Sequence, residues 1–127
     1  MGRVSNVKMN MGYLGENYQY LLVKYLIETP KFFISMVSIL DQNMFTDEHL
    51  RRIVGMMKDR YMKNGVCPNY NDIEVLIRTN VSDAVTVDVM LEKLKELQAR
   101  DFNMDIELLT TNAEKFFKQQ NLAKAIN

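Results

Sequence analysis

A chain of 127 residues with 47% hydrophobic and 25% charged side chains has the length and apolar content for one globular domain with a real core. Sixteen Lys and Arg balance sixteen Asp and Glu, which excludes the basic excess that holds duplex DNA by its phosphates. A single cysteine, Cys67, and a single histidine, His49, exclude an internal disulfide, a cysteine-rich metal site and most Cys-His or Ser-His arrangements.

Residues 1–12 show no periodicity and read as a loose leader. Tyr18, Leu21, Leu22, Tyr25 and Leu26 then recur at helical spacing, giving an amphipathic helix to about Glu28. Thr29-Pro30 stops it and starts another, because Thr caps helices and Pro suits their first position. Phe32, Phe33, Met36, Val37 and Leu40 form the apolar stripe of that second helix.

A short connection leads to Thr46, read as the N-cap of the clearest helix in the chain, with Asp47 and Glu48 in a first turn that favours negative charge. Leu50, Ile53, Val54, Met57 and Tyr61 line one face, and Asn64-Gly65 ends it with a left-handed cap. Pro68 keeps Cys67 out of the helical region, so residues 66–70 read as an extended loop. Asn71 or Asp72 is expected to cap a short helix carrying Ile73, Leu76 and Ile77.

After a polar break at residues 80–85, Thr86 is expected to open a helix with Val87, Met90, Leu91, Leu94 and Leu97 on one face. The last helix is expected from about Asp105. Its Ile106, Leu109, Ala113, Phe116, Phe117, Gln120 and Ala123 fall within an arc of about 120°. Leu108, Leu122 and Ile126 lie on roughly the opposite side. No stretch alternates with a period of two. The fold class is therefore all-α: a compact bundle of about four helices over residues 16–80, followed by an antiparallel helical hairpin over 86–126.

Chemistry is sparse. No G-x-x-x-x-G-K-[ST] or G-x-G-x-x-G motif occurs, and Gly is too scarce to build a phosphate loop elsewhere. Carboxylates sit among lysines, as in Glu92-Lys93 and Lys95-Glu96, which is the pattern of solvated helix surface. Asp101, Asp105 and Glu107 suit a turn and an N-cap better than a metal cluster. His49 has no identifiable nucleophile or orienting carboxylate. Arg51, Arg52, Lys58 and Arg60 form the strongest basic group, yet Asp47, Glu48 and Asp59 share their helix. Ten Met residues suit either an irregularly filled core or an adaptable partner surface. The expected domain is non-catalytic, with no metal and no cofactor. Leu108, Leu122 and Ile126 are the candidate partner or self-association surface, unless they belong to a fraying end. Apolar runs end well before a membrane span, and no signal-like stretch opens the chain, so cytoplasm is the expected compartment.

The order of these features resembles the N-terminal domain of DnaB-type replicative helicases, phage and prophage versions above all. The resemblance is carried by residues 40–76: Met44-Phe45, then the helix with Leu50, Ile53, Val54 and Met57, then the Gly65-Val66-Cys67-Pro68 turn, then a short helix. Upstream, residues 16–26 look like that family's opening helix, and downstream AEKFFKQQNLAKAI is similar to its segment after the hairpin turn. The resemblance implies a scaffold domain that forms the collar of a hexameric ring, pairs through helical hairpins and docks primase or the helicase loader. It also implies an N-terminal fragment of a longer helicase whose ATPase lies in a separate domain, with weak or no direct nucleic-acid binding by this part. A stand-alone helical DNA-binding or adaptor domain, with Ile73 to Thr79 as a short recognition helix, is the alternative.

Overall fold

The computed structural model describes residues 10–126, with side chains as far as residue 123. All regular structure in this range is helical: α1 (Glu16–Glu28), α2 (Pro30–Met36), α3 (Glu48–Asn64), α4 (Tyr70–Asn80), α5 (Ala84–Ala99) and α6 (Ile106–Ile126). Short 3-10 turns at Met11–Leu14 and Gln42–Met44 complete it. The all-α bundle expected from the sequence is the fold observed. Most of the leader, residues 1–9, lies outside the described residues, but its end does not behave as loose chain. Asn10 caps the first turn, and Met11 is fully buried.

Helix starts follow cap chemistry more closely than apolar periodicity alone suggested. Asp47, not Thr46, caps α3, its carboxylate accepting from the backbone N–H of His49 at 2.8 Å and of Leu50 at 3.0 Å. Thr46 is engaged instead by Gln19 of α1. Asn69, not Asn71 or Asp72, caps α4, and Asp72 returns the bond to the Asn69 N–H, closing a capping box. Asp83 caps α5 by accepting from the Thr86 N–H and hydroxyl, so the helix begins at Ala84 and the break shrinks to residues 81–83. Asp105 accepts from the Glu107 N–H at the head of α6. Each cap satisfies backbone donors that the helix itself leaves unpaired. Gly65 sits at φ 68° and ψ 20°, the left-handed conformation that ends α3 where the sequence places it.

The sequence suggested one apolar face on α1. The structure buries it almost all round. Tyr18 and Gln19 through Lys24, then Leu26 and Ile27, are all buried, as in a helix enclosed by others. α2, α3, α5 and α6 all pack on it. This arrangement replaces the expected packing of α6 directly on α5. Both helices lie on α1 and make little contact with each other, because α1 offers apolar surface on more than one side. The closest helical pair is α4 with α5, joined by residues 81–83. The start of α4 and the end of α5 meet at the end of α1, where Glu28 receives Tyr70 and Lys24 donates to the Gln98 carbonyl.

α6 buries the expected stripe. Leu109, Ala113, Phe116 and Phe117 are buried, and Gln120 is too. Phe116 and Phe117 meet edge-to-face at 5.1 Å, and Phe117 lies 6.4 Å from Phe45 in the connection before α3. The Tyr18 hydroxyl donates to the Leu109 carbonyl at 2.6 Å, tying α6 to α1. Asn121 donates to the Ile39 carbonyl at 3.0 Å, fixing the far half of α6 to the turn after α2.

Candidate functional site

The polar groups with the most distinctive environment lie between helices. At the head of α3, the Asp47 carboxylate accepts from Lys93 of α5 at 2.9 Å and from the Tyr20 hydroxyl of α1 at 3.3 Å. Lys93 also donates to the Tyr20 oxygen, and the Arg100 guanidinium stacks over the Tyr20 ring at 4.4 Å. Burial alone would push the Lys93 ammonium down, but its bonds to Tyr20 and Asp47 and the Asp47 charge outweigh that, raising it to about 12. Burial would push Asp47 up, but Lys93 and the Leu50 N–H hold its carboxyl below the usual range. Asp47 thus caps one helix and clamps two others.

A second tie closes the other end of α1. Lys24, buried among apolar neighbours, pairs with Glu28 at 2.7 Å and lies 5.1 Å from the Phe102 ring centroid. The Tyr70 hydroxyl donates to the same Glu28 oxygen at 2.6 Å, and burial together with that carboxylate raises its pKa. The two clusters join α1, α3, α4 and α5 through hydrogen bonds and ion pairs between helices.

His49 stands beside Glu48, with its Nε2 4.0 Å from that carboxylate, and among the described residues its buried Nδ1 has no hydrogen-bond partner. Three members of the basic group of α3 are engaged in local hydrogen bonds. Arg51 donates to the Phe45 and Thr46 carbonyls, Lys58 to the Leu40 carbonyl, and Arg60 to the Asn64 side chain. On α4, the alternative recognition helix, Ile73 and Ile77 are buried, while Arg78 is held by Glu74 at 3.2 Å. The surface that α4 presents is therefore not basic. Asp101, Asp105 and Glu107 do not converge: among the described residues no three His, Cys, Asp or Glu side chains are placed to hold a metal ion. Nor is any helix among the described residues long and apolar enough to cross a membrane.

Two of the three residues singled out on the outer side of α6 are exposed. Leu108 and Leu122 project from α6 with 56% and 64% of their surface exposed. They are fourteen positions apart, which places them about 40° apart around the helix and about 21 Å apart along it. Thr111, Lys115 and Gln119 lie between them on that face. Ile126, the third residue expected there, has its side chain outside the described residues. The structure also shows a surface that sequence periodicity did not single out, the groove between α3 and α4. Its floor includes the half-buried Leu76, and Val66 and Val75 stand exposed on its walls. Comparison of the chain with protein-family models, curated proteins and solved structures gives no match.

Proposed function

We propose that this domain is a non-catalytic assembly and docking module, of the kind that builds the collar of DnaB-type replicative helicases. In this reading copies pair through α6, and primase or a helicase loader docks on the collar. The observation that carries it is the second face of α6. The buried stripe holds the helix to α1, and a pair of large aliphatic side chains is left over on the outside. Their spacing suits an isologous two-fold contact, in which Leu108 of one copy meets Leu122 of the other and the axis passes near Lys115. The ordered series of sequence features over residues 16–126 supports the same assignment.

The polar centre of that face makes the contact weak for separate copies. Tethering within a larger assembly raises the effective concentration and makes it useful. Light scattering after size exclusion, over a concentration series, tests the reading. The chain should pass from monomer towards dimer as concentration rises. Replacing Leu108 and Leu122 together by Glu should hold it monomeric, with an unchanged circular dichroism spectrum. A wild-type monomer at every concentration, or a double variant that dimerises as well as wild type, would count against it.

A further inference from the structure

We propose that Lys115 sets the strength of pairing through α6, as a charge that opposes the contact of two copies. The inference rests on the assembly reading and names what regulates its surface. Lys115 lies seven positions from Leu108 and seven from Leu122. It therefore sits midway along the outer strip, about 10 Å from each along the helix and about 20° from each around it. It is exposed, and Thr111 and Gln119, one turn to either side, are uncharged. An isologous contact brings a residue at the axis against its own copy. Whatever the crossing angle of the two helices, Lys115 meets Lys115. Packed helices lie about 8–10 Å apart, so the two ammoniums share the centre of the contact.

No neighbouring acid offsets them. Glu114 stands one position away, about 100° around the helix, and pairs with Lys118 at 3.9 Å. Among the described residues no carboxylate or other polar group pairs with Lys115. The two lysines that lie between helices within one copy, Lys24 and Lys93, each hold a carboxylate, at 2.7 and 2.9 Å. The chain as a whole carries no net charge, so the repulsion is local to the axis and short in range. Two like charges at this separation weaken association about three- to tenfold. Salt screens them, and a neutral side chain removes them, so pairing tightens in either case. An acid at this position in one copy alone turns the repulsion into attraction.

Sedimentation equilibrium gives the dissociation constants of wild type, Lys115→Gln and Lys115→Glu. They are compared at about 0.01 M and about 1 M sodium chloride, between which the screening length falls from about 30 to about 3 Å. Circular dichroism serves as fold control. At low salt Lys115→Gln should dimerise about three- to tenfold more tightly than wild type, and high salt should close most of that gap. Lys115→Glu alone should pair no better than wild type, but an equimolar mixture of the two should associate more tightly than either. Equal constants for wild type and Lys115→Gln at low salt, or weaker pairing by Lys115→Gln, overturn the proposal. So does a mixture that associates no better than its components. If those results appear while Leu108 and Leu122 still govern dimerisation, the charge proposal falls and the assembly reading stands. If none of the proteins associates at any concentration, Lys115→Gln included, both fall.

Discussion

Replacing Phe117 by Ala should cost the domain about 3–5 kcal/mol of unfolding free energy, the range for truncating a buried aromatic in a core that relaxes only partly. Phe117 is fully buried, and it touches both Phe116 on its own helix and Phe45 in the connection that leads into α3. The cavity left by Ala would therefore loosen α6 from the α2–α3 connection, which Asn121 also reaches through the Ile39 carbonyl. Urea unfolding followed by circular dichroism measures it. Phe117→Leu, which keeps most of the volume, should cost less than about 1.5 kcal/mol. Lys118→Ala, one residue away and exposed, should change stability by no more than about 0.5 kcal/mol. A loss below about 1 kcal/mol for Phe117→Ala would mean that α6 is not part of the core.

Lys93→Met should destabilise the domain by about 2–3 kcal/mol at neutral pH, somewhat less than removing one partner of a fully buried ion pair. The side chains of Lys93 and Asp47 retain 16% and 22% exposure, so solvent screens part of the loss. Methionine keeps the apolar stem and leaves the Asp47 carboxylate without its cation. The pH dependence fixes the sign. Asp47 is lowered in the folded state, so its contribution is complete above the unfolded value of about 4 and fades as pH falls through the folded one. Lys93 is raised to about 12, so its contribution is complete below about 10.4 and fades as pH rises towards 12. Wild type should thus hold a stability plateau across the middle of the pH range and lose stability at both ends. Lys93→Met should flatten the acid-side slope, because the group that lowers Asp47 is gone while its burial remains. A double-mutant cycle with Asp47→Asn gives the coupling, and a coupling near zero would reduce the cluster to incidental surface contact.

These polar ties mark where sequence reading stops. The buried stripe of α6 and the face of α3 were legible, because helical spacing of Leu109, Ala113, Phe116 and Phe117, or of Leu50, Ile53, Val54 and Met57, states which side meets a core. The centrality of α1 was obscured by its own polar residues. Gln19 and Lys24 lie outside the stripe of Tyr18, Leu21, Leu22, Tyr25 and Leu26, yet Gln19 is buried against Thr46, and Lys24 against Glu28 and the Gln98 carbonyl. Lys24 within the apolar run of residues 18–27 was the one available hint. Nothing local links Lys93 to Asp47, 46 positions away, since such a pair depends on how helices stack. Asn69 and Asp83 cap their helices ahead of the first apolar position of each stripe, so periodicity places the starts of α4 and α5 too late. The exposed Leu108 and Leu122 were found from the same wheel as the core, whereas the α3–α4 groove depends on the tilt of two helices and leaves no periodic trace.

The pairing of α6 across a two-fold axis is the central claim, and disulfide trapping tests it most directly. With Cys67 replaced by Ser, Leu108→Cys and Leu122→Cys are prepared as separate proteins and oxidised at high concentration, alone and mixed. In the proposed antiparallel pair Cys at one position would face Cys at the other, and a disulfide forms only where the two Cα atoms come within about 7 Å. Like positions stand about 21 Å apart at the rise of an α-helix. The mixture should give a covalent heterodimer that neither protein forms alone. Absence of the heterodimer, or equal yields from the mixture and from each protein by itself, would contradict the assembly proposed for this domain.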